Sequence, residues 1–261
     1  MIFLMGMEGS GSFVIKIFPD EESVAQAAAQ LFVEQYKKSM ARSDRFSVAL
    51  SGGHTPLRTY ELLSQEPFKS RIDWSHVHVF WGDERCVPIS DSRSNYGIAN
   101  KTLLSHVPIP SEQVHPILGT EDPHKSAAEY ESVLKEYFGD SSPFFDLVFL
   151  GLGKDGHTAS LFPGSPSLNE KVRWVAWQKN FTEDFLRITM TPQLLNLAQM
   201  VLFLVTGPEK AEILKVVLNN VEPTHLLPAQ LIHPIEGEIV WLVDSSAHSF
   251  PEKDSSPIRL D

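Results

Sequence analysis

One cysteine, Cys86, is all the thiol chemistry in this 261-residue chain. An intramolecular disulfide and a thiolate metal cluster are therefore both excluded, and a reducing, cytoplasmic setting is expected. Long apolar runs are missing too. No uninterrupted stretch approaches the roughly 20 residues that span a bilayer, so no membrane partner is expected. The apolar run Met1–Met5 is short, lacks a basic flank and leads into Gly-Met-Glu-Gly-Ser-Gly-Ser, so residues 1–12 read as a loose N-terminal leader. Positive charge is scarce: 22 Lys and Arg stand against 33 Asp and Glu, a net charge of -11. Such a surface repels nucleic acid and anionic membranes. An anionic ligand must then be held by local Lys, Arg and backbone N–H groups against the global field. Internal repeats, low-complexity segments and dividing linkers are also absent. Residues 13–248 read as one α/β domain and 249–261 as a polar tail. The hydrophobic share of 42% leaves ample material for a continuous core.

What is present has the rhythm of βαβ units. Short β-rich runs at 13–18, 46–50, 77–81, 145–150, 187–190, 201–205 and 239–243 alternate with helix-like segments at 21–42, 57–63, 95–105, 126–138 and 209–219. Several strands are near-continuous apolar runs, the pattern of strands covered on both faces. The expected fold class is α/β, a doubly wound, mainly parallel sheet flanked by helices in a Rossmann-like three-layer sandwich. Ligands of such sheets bind beyond the carboxyl ends of the strands, where strand order reverses.

Four motifs fall at strand ends. In Ser51-Gly52-Gly53-His54-Thr55-Pro56 two glycines allow close backbone approach, Thr55 is placed to cap the next helix and Pro56 suits its first turn. The loop reads either as a nest of N–H groups for a phosphate or as a plain strand-to-helix turn. In Trp81-Gly82-Asp83-Glu84-Arg85-Cys86-Val87-Pro88 the charges read either as cleft groups, with Arg85 facing an oxyanion or a sugar oxygen, or as a structural Asp–Arg pair. Cys86 reads as a small buried filler. The third motif, Gly151-Leu152-Gly153-Lys154-Asp155-Gly156-His157-Thr158-Ala159-Ser160-Leu161-Phe162-Pro163, puts His157 beyond a strand end with Asp155 beside it. Histidine titrates near neutrality, which suits a general base that takes a proton from water and returns it. Its Gly-x-Gly lacks a third glycine at dinucleotide spacing, so no nicotinamide cofactor is expected. The fourth feature is a pair of cations, Arg187 and Lys210, that read either as anion partners at the sheet edge or as solvated surface charges. His76 and His78 lack a third ligand at a convincing spacing, and no metal is expected.

Taken in order, Ser-Gly-Gly-His-Thr-Pro, Trp-Gly-Asp-Glu-Arg-x-Val-Pro, Ser94-Asn95-Tyr96, Gly-Leu-Gly-x-Asp-Gly-His-Thr-Ala-Ser-Leu-Phe-Pro and Arg-Ile-Thr-Met-Thr resemble the 6-phosphogluconolactonase family. That family lies within the glucosamine-6-phosphate isomerase/6-phosphogluconolactonase superfamily, and the match runs from about Phe18 to about Ala247. The resemblance implies hydrolysis of 6-phospho-D-glucono-1,5-lactone to 6-phospho-D-gluconate in the oxidative pentose phosphate pathway, without metal or redox cofactor. It also implies that Ser51, Gly52, Gly53 and Thr55 cradle the substrate phosphate with Arg187 and Lys210. His157 would be the general base with Asp155 beside it, Asp83 would orient substrate or water, and Arg85 would contact the lactone end. The partner is a small sugar-phosphate lactone, and the chain is expected to be a monomer or weak homodimer. The similar glucosamine-6-phosphate deaminases carry a catalytic glutamate five residues after the histidine, where this chain has Phe162, and a tyrosine where it has Arg85. Both differences favour the lactonase. A non-catalytic sugar-phosphate sensor is a further alternative, but neither a helix-turn-helix nor a basic arm precedes Phe13.

Overall fold

Among the described residues, sixteen helices and strands follow one another in the order β1 (Ile2–Met7), β2 (Ser12–Phe18), α1 (Glu21–Met40), β3 (Phe46–Leu50), α2 (Leu57–Leu63), β4 (Val77–Trp81), β5 (Asp83–Arg85), α3 (Asn95–Thr102), α4 (Pro123–Phe138), β6 (Leu147–Gly151), β7 (Val175–Lys179), β8 (Leu186–Met190), α5 (Pro192–Leu195), β9 (Met200–Val205), α6 (Ala211–Leu218) and β10 (Glu238–Asp244), joined by loops and short 3-10 turns. The computed structural model describes residues 2–7, 12–120, 122–139, 144–179, 184–219 and 227–248. The expected polar tail, 249–261, lies outside them.

Local chemistry sets the helix ends. Asp20 accepts a hydrogen bond from the Ser23 N–H at 2.8 Å and starts α1, with Glu21 and Glu22 in the first turn and Lys37 and Lys38 in the last. Those charges complement the helix dipole. Along α1, Val24, Ala25, Ala28, Phe32, Val33 and Tyr36 recur at helical spacing and are buried. Asp122 caps α4, Pro123 occupies its first turn, and Gly139 ends it at φ +61°.

The main sheet has the order β1-β2-β10-β9-β6-β3-β4, and every pairing is parallel except β1 with β2. All residues of β3 and β9 are buried, as both faces of a doubly wound sheet require. From β3 the chain goes outward to β4, then returns across β3 to β6 and proceeds the opposite way through β9 to β10. Strand order thus reverses between β3 and β6, and the loops after these two strands diverge to leave a crevice.

Two features differ from the sequence expectation. Residues 2–7 are an edge strand rather than part of a loose leader, because β2 would otherwise present an unpaired row of backbone N–H and C=O groups. A second sheet, antiparallel and of order β5-β8-β7, stands beside the first. Gly82 joins them: its N–H donates to the Leu50 carbonyl at 3.0 Å, and its carbonyl accepts from the Met190 N–H at 2.8 Å. The small sheet therefore begins at the carboxyl ends of β3 and β4, above the crevice. Among the described residues no helix is long and apolar enough to cross a membrane.

Candidate active site

The loop after β3 is tied at its start by Tyr60, whose hydroxyl accepts from the Ser51 N–H at 3.1 Å and donates to the Ser51 carbonyl at 2.8 Å. Gly52 follows because nothing larger fits: a Cβ there would lie 1.9 Å from Asn95 Oδ1. Gly53 takes φ +85° and opens the turn. Thr55 does not cap α2, contrary to expectation. The cap position is Pro56, which has no side chain to accept a hydrogen bond, so the Thr55 hydroxyl remains at the cavity wall. His54 lies at the rim with its Nδ1 3.5 Å from Glu21 Oε1.

The loop after β6 carries His157. Its Nδ1 is 2.5 Å from Asp155 Oδ1, which also accepts the His157 N–H at 3.1 Å. The ring rests over the backbone of Gly153, where a Cβ would come within 2.0 Å of Nδ1, and its centroid is 4.9 Å from that of Phe162. With Nδ1 committed to a carboxylate, the basic nitrogen is Nε2. Partial burial works against a charge on Asp155, but the His157 charge and hydrogen bonds outweigh it and hold the carboxyl below the usual carboxylate range. Thr158 donates to the Gly151 carbonyl at 2.8 Å. Ala159 follows at φ +48°, a left-handed conformation costly for a residue with a Cβ. It turns Ser160 inward.

The small sheet supplies the remaining charges. Register places Asp83 opposite Thr189 and Arg85 opposite Arg187. Asp83 Oδ2 accepts from Ser160 Oγ at 2.5 Å and lies 3.5 Å from Arg187 Nη1, while its Oδ1 accepts from Asn95 Nδ2 at 3.3 Å. Arg85 donates to the Arg93 carbonyl at 2.5 Å. Glu84 is a buried cap rather than a cleft group. It accepts N–H groups of Arg85, Asn95 and Tyr96 at 2.7–2.8 Å and the Ser94 hydroxyl at 3.0 Å, at the start of α3. Burial raises its carboxyl, opposed by those backbone donors. Burial also pushes the Cys86 thiol up to about 11, so it stays protonated as a filler would. Lys210 ends the 3-10 turn that precedes α6 and donates to the Leu152 carbonyl at 2.7 Å, reaching across to the His157 loop. Partial burial lowers its ammonium from the usual value, with Glu209 and Asp155 opposing and Lys154 adding to the fall.

These pieces surround one cavity of about 920 Å³ at the switch point. All ten residues expected from the sequence, Ser51, Gly52, Gly53, Thr55, Asp83, Arg85, Asp155, His157, Arg187 and Lys210, line it. Residues 19–241 match the family model described as glucosamine-6-phosphate isomerases/6-phosphogluconolactonase. The chain belongs to this family. It is 37% identical over 244 residues to the probable 6-phosphogluconolactonase 3, chloroplastic, of Oryza sativa subsp. indica, covering 89% of this chain and 74% of that protein. It is 34% identical over 230 residues to the 6-phosphogluconolactonase of Aggregatibacter actinomycetemcomitans, covering 88% and 96%. The structure of 6-phosphogluconolactonase from Trypanosoma brucei superposes with a TM-score of 0.80 at 30% identity, covering 89% of this chain and 96% of that one.

Sequence reasoning did not assign several residues that the family fold brings to this cavity or its wall. Glu21, Thr206, Glu209, Asp244 and Ser246 line it; Glu21 reads in sequence as a first-turn helix charge, Thr206 and Glu209 flank the turn that carries Lys210, and only the fold turns all five towards the cavity. Asn95 and Ser160 stood inside recognised motifs, but their partner, Asp83, is distant in sequence and only the fold joins them.

Proposed function

We propose that the chain opens 6-phosphoglucono-1,5-lactone by general-base hydrolysis, with His157 as the base. The observation that carries this reading is the Asp155–His157 pair at the cavity wall. Its Nδ1 is fixed by a carboxylate, and its Nε2 makes no hydrogen bond among the described residues. Asp155 holds the tautomer in which Nε2 accepts a proton from water. That water adds to the C1 carbonyl, and Arg85, at the same wall, meets the oxyanion. Collapse expels the ring oxygen as an alkoxide, which takes the proton back from His157. The phosphate is the anchor, bound by N–H groups of the Ser51–Thr55 loop with Lys210 and Arg187, and its binding energy positions the distant carbonyl. A lactone is an activated ester, so protein side chains and water suffice. The single cysteine suits a reducing compartment such as the cytosol.

Phe162 separates this reading from a deaminase. The position five residues after the histidine packs against its ring, so a carboxylate there would share proton handling, and a phenyl ring cannot. The deciding measurement is the hydrolysis rate of freshly generated lactone above its spontaneous rate, with a chelator present. We expect acceleration that His157→Ala lowers by about 10²-fold or more in kcat, while Lys210→Ala mainly raises KM. A wild-type protein without lactonase activity that releases ammonia from glucosamine 6-phosphate would reverse the assignment.

A further inference from the structure

Lysine carries its charge on a flexible four-carbon stem and loses rotamer freedom wherever that charge is held in one place. Lys210 is fixed at its tip, where Nζ donates to the Leu152 carbonyl at 2.7 Å, and an ammonium has two further N–H groups for an anion. Its root is fixed by the turn Pro208–Lys210, which opens on Gly207 at φ +98° and closes with the Lys210 N–H on the Gly207 carbonyl at 3.1 Å. A residue with a Cβ rarely adopts that φ. Gly207 is thus the pivot from which Lys210 is aimed.

Asp244 holds that pivot. β9 and β10 pair in parallel as far as Val205 and Val243, and Asp244 is the next residue of β10. There the ladder ends, and the Asp244 carboxylate takes the place of a backbone acceptor: the Gly207 N–H donates to Oδ1 at 3.2 Å and to Oδ2 at 3.1 Å. The carboxylate is itself locked, since Oδ1 accepts the Ala247 N–H at 2.7 Å and Oδ2 the Ser246 hydroxyl at 2.9 Å, and the residue is only 7% exposed. A carboxylate in the wall of an anion-binding cavity repels the anion, whereas this one also sets the backbone from which a cation projects. The two effects have opposite signs, so binding measurements tell them apart.

We propose that Asp244 is a positioning residue for anion binding: through the Gly207 N–H it fixes the turn that aims the Lys210 ammonium at the anionic group of the substrate in the cavity. The inference rests on the lactonase reading and adds to it a residue that acts through Lys210. It links three strand ends: Asp244 closes β10, the Gly207 turn follows β9, and Lys210 reaches through Leu152 to the His157 loop after β6. Without the carboxylate the Gly207 N–H loses its acceptor, the turn relaxes, and the ordering of the Lys210 stem falls on the binding step.

The test is a double-mutant cycle of Asp244→Ala and Asp244→Asn, each with and without Lys210→Ala, reading KM and kcat for the lactone and the Kd for 6-phosphogluconate by calorimetry. Asp244→Ala should raise KM and Kd together by about tenfold with kcat within about threefold, and Asp244→Asn, which keeps one acceptor oxygen, by about threefold. In the Lys210→Ala background neither should raise Kd further, because the cation that Asp244 positions is gone. If the alanine variant does not fold, the asparagine variant carries the same comparison. A Kd that falls or is unchanged in Asp244→Ala would overturn the proposal, since only the repulsion would then be at work. Equal losses with and without Lys210 would overturn it too, and would mean that Asp244 only braces the strand ends. A wild type that binds 6-phosphogluconate but does not turn over the lactone would instead count against the lactonase reading, while the Kd cycle would still decide the role of Asp244.

Discussion

At the scale of single residues, the site depends on small side chains as much as on charged ones. His157 can keep its Nδ1 on Asp155 only because residue 153 has no Cβ: the nearest ring atoms would lie 2.0 and 2.2 Å from one. The φ of Gly153 is not in the left-handed region, so an alanine there meets no backbone penalty and acts through the ring alone. Gly153→Ala should therefore push the imidazole off Asp155 and away from its attack position. Displacing a reacting group by about 1 Å costs about 10²-fold in rate. The expected outcome is a kcat reduced by that order, with KM and the melting temperature little changed. A parallel fall in melting temperature would show that the substitution disturbs the loop rather than the ring. The bond from the Gly153 N–H to the His157 carbonyl at 2.8 Å, which alanine retains, argues for the first outcome.

At the scale of elements, legibility followed burial. β3, α2 and β4 span the residues that their apolar runs and flanking turns predicted, because a strand covered on both faces writes its burial directly into sequence. β5 is three residues long and reads Asp-Glu-Arg. It is a strand only because β8 pairs with it, and no local pattern announces that. β7 was missed for a similar reason, since it stands at one edge of the second sheet and pairs with β8 alone. The Asp155–His157 contact was legible because its partners are two residues apart. The Asp83–Ser160–Arg187 group was not, because its members lie on β5, the β6 loop and β8.

The edge strand β4 carries a testable consequence of its own. His78 Nδ1 lies 3.2 Å from His115 Nε2, the two rings stack, and His115 stacks in turn on Phe80 at 4.4 Å. Burial, with the neighbouring His78 charge adding to it, pushes His115 down to about 4. An unfolded chain regains the usual 6.5 and so takes up a proton that the folded chain refuses. Stability is then complete above that value and declines as pH falls from about 6.5 towards about 4. Urea unfolding midpoints should drop between about pH 7 and about pH 5, and His115→Phe, which keeps the aromatic stack, should flatten the drop. An equal decline in the variant would place the titrating group elsewhere.

At the scale of the whole molecule, a net charge of -11 faces a substrate that is itself anionic. The cavity does not reverse this with an excess of cations. Arg85, Lys154, Arg187 and Lys210 share its wall with Glu21, Asp83, Asp155, Glu209 and Asp244. Long-range attraction is therefore weak, and recognition of a phosphate falls to short-range contacts: backbone N–H groups and cations already tied to neighbouring groups. Electrostatic steering by a strongly cationic cleft would make kcat/KM fall steeply with ionic strength, since the Debye length shortens from about 10 Å at 0.1 M to about 3 Å at 1 M. Here the distant repulsion and the local attraction are screened together and oppose each other. The expected result is a kcat/KM that changes by less than about threefold between about 0.05 M and about 0.5 M sodium chloride. A tenfold fall would mean that the four cations act at long range and that the surrounding carboxylates do not offset them. A tenfold rise would mean that the acidic surface, rather than the pocket, limits substrate entry.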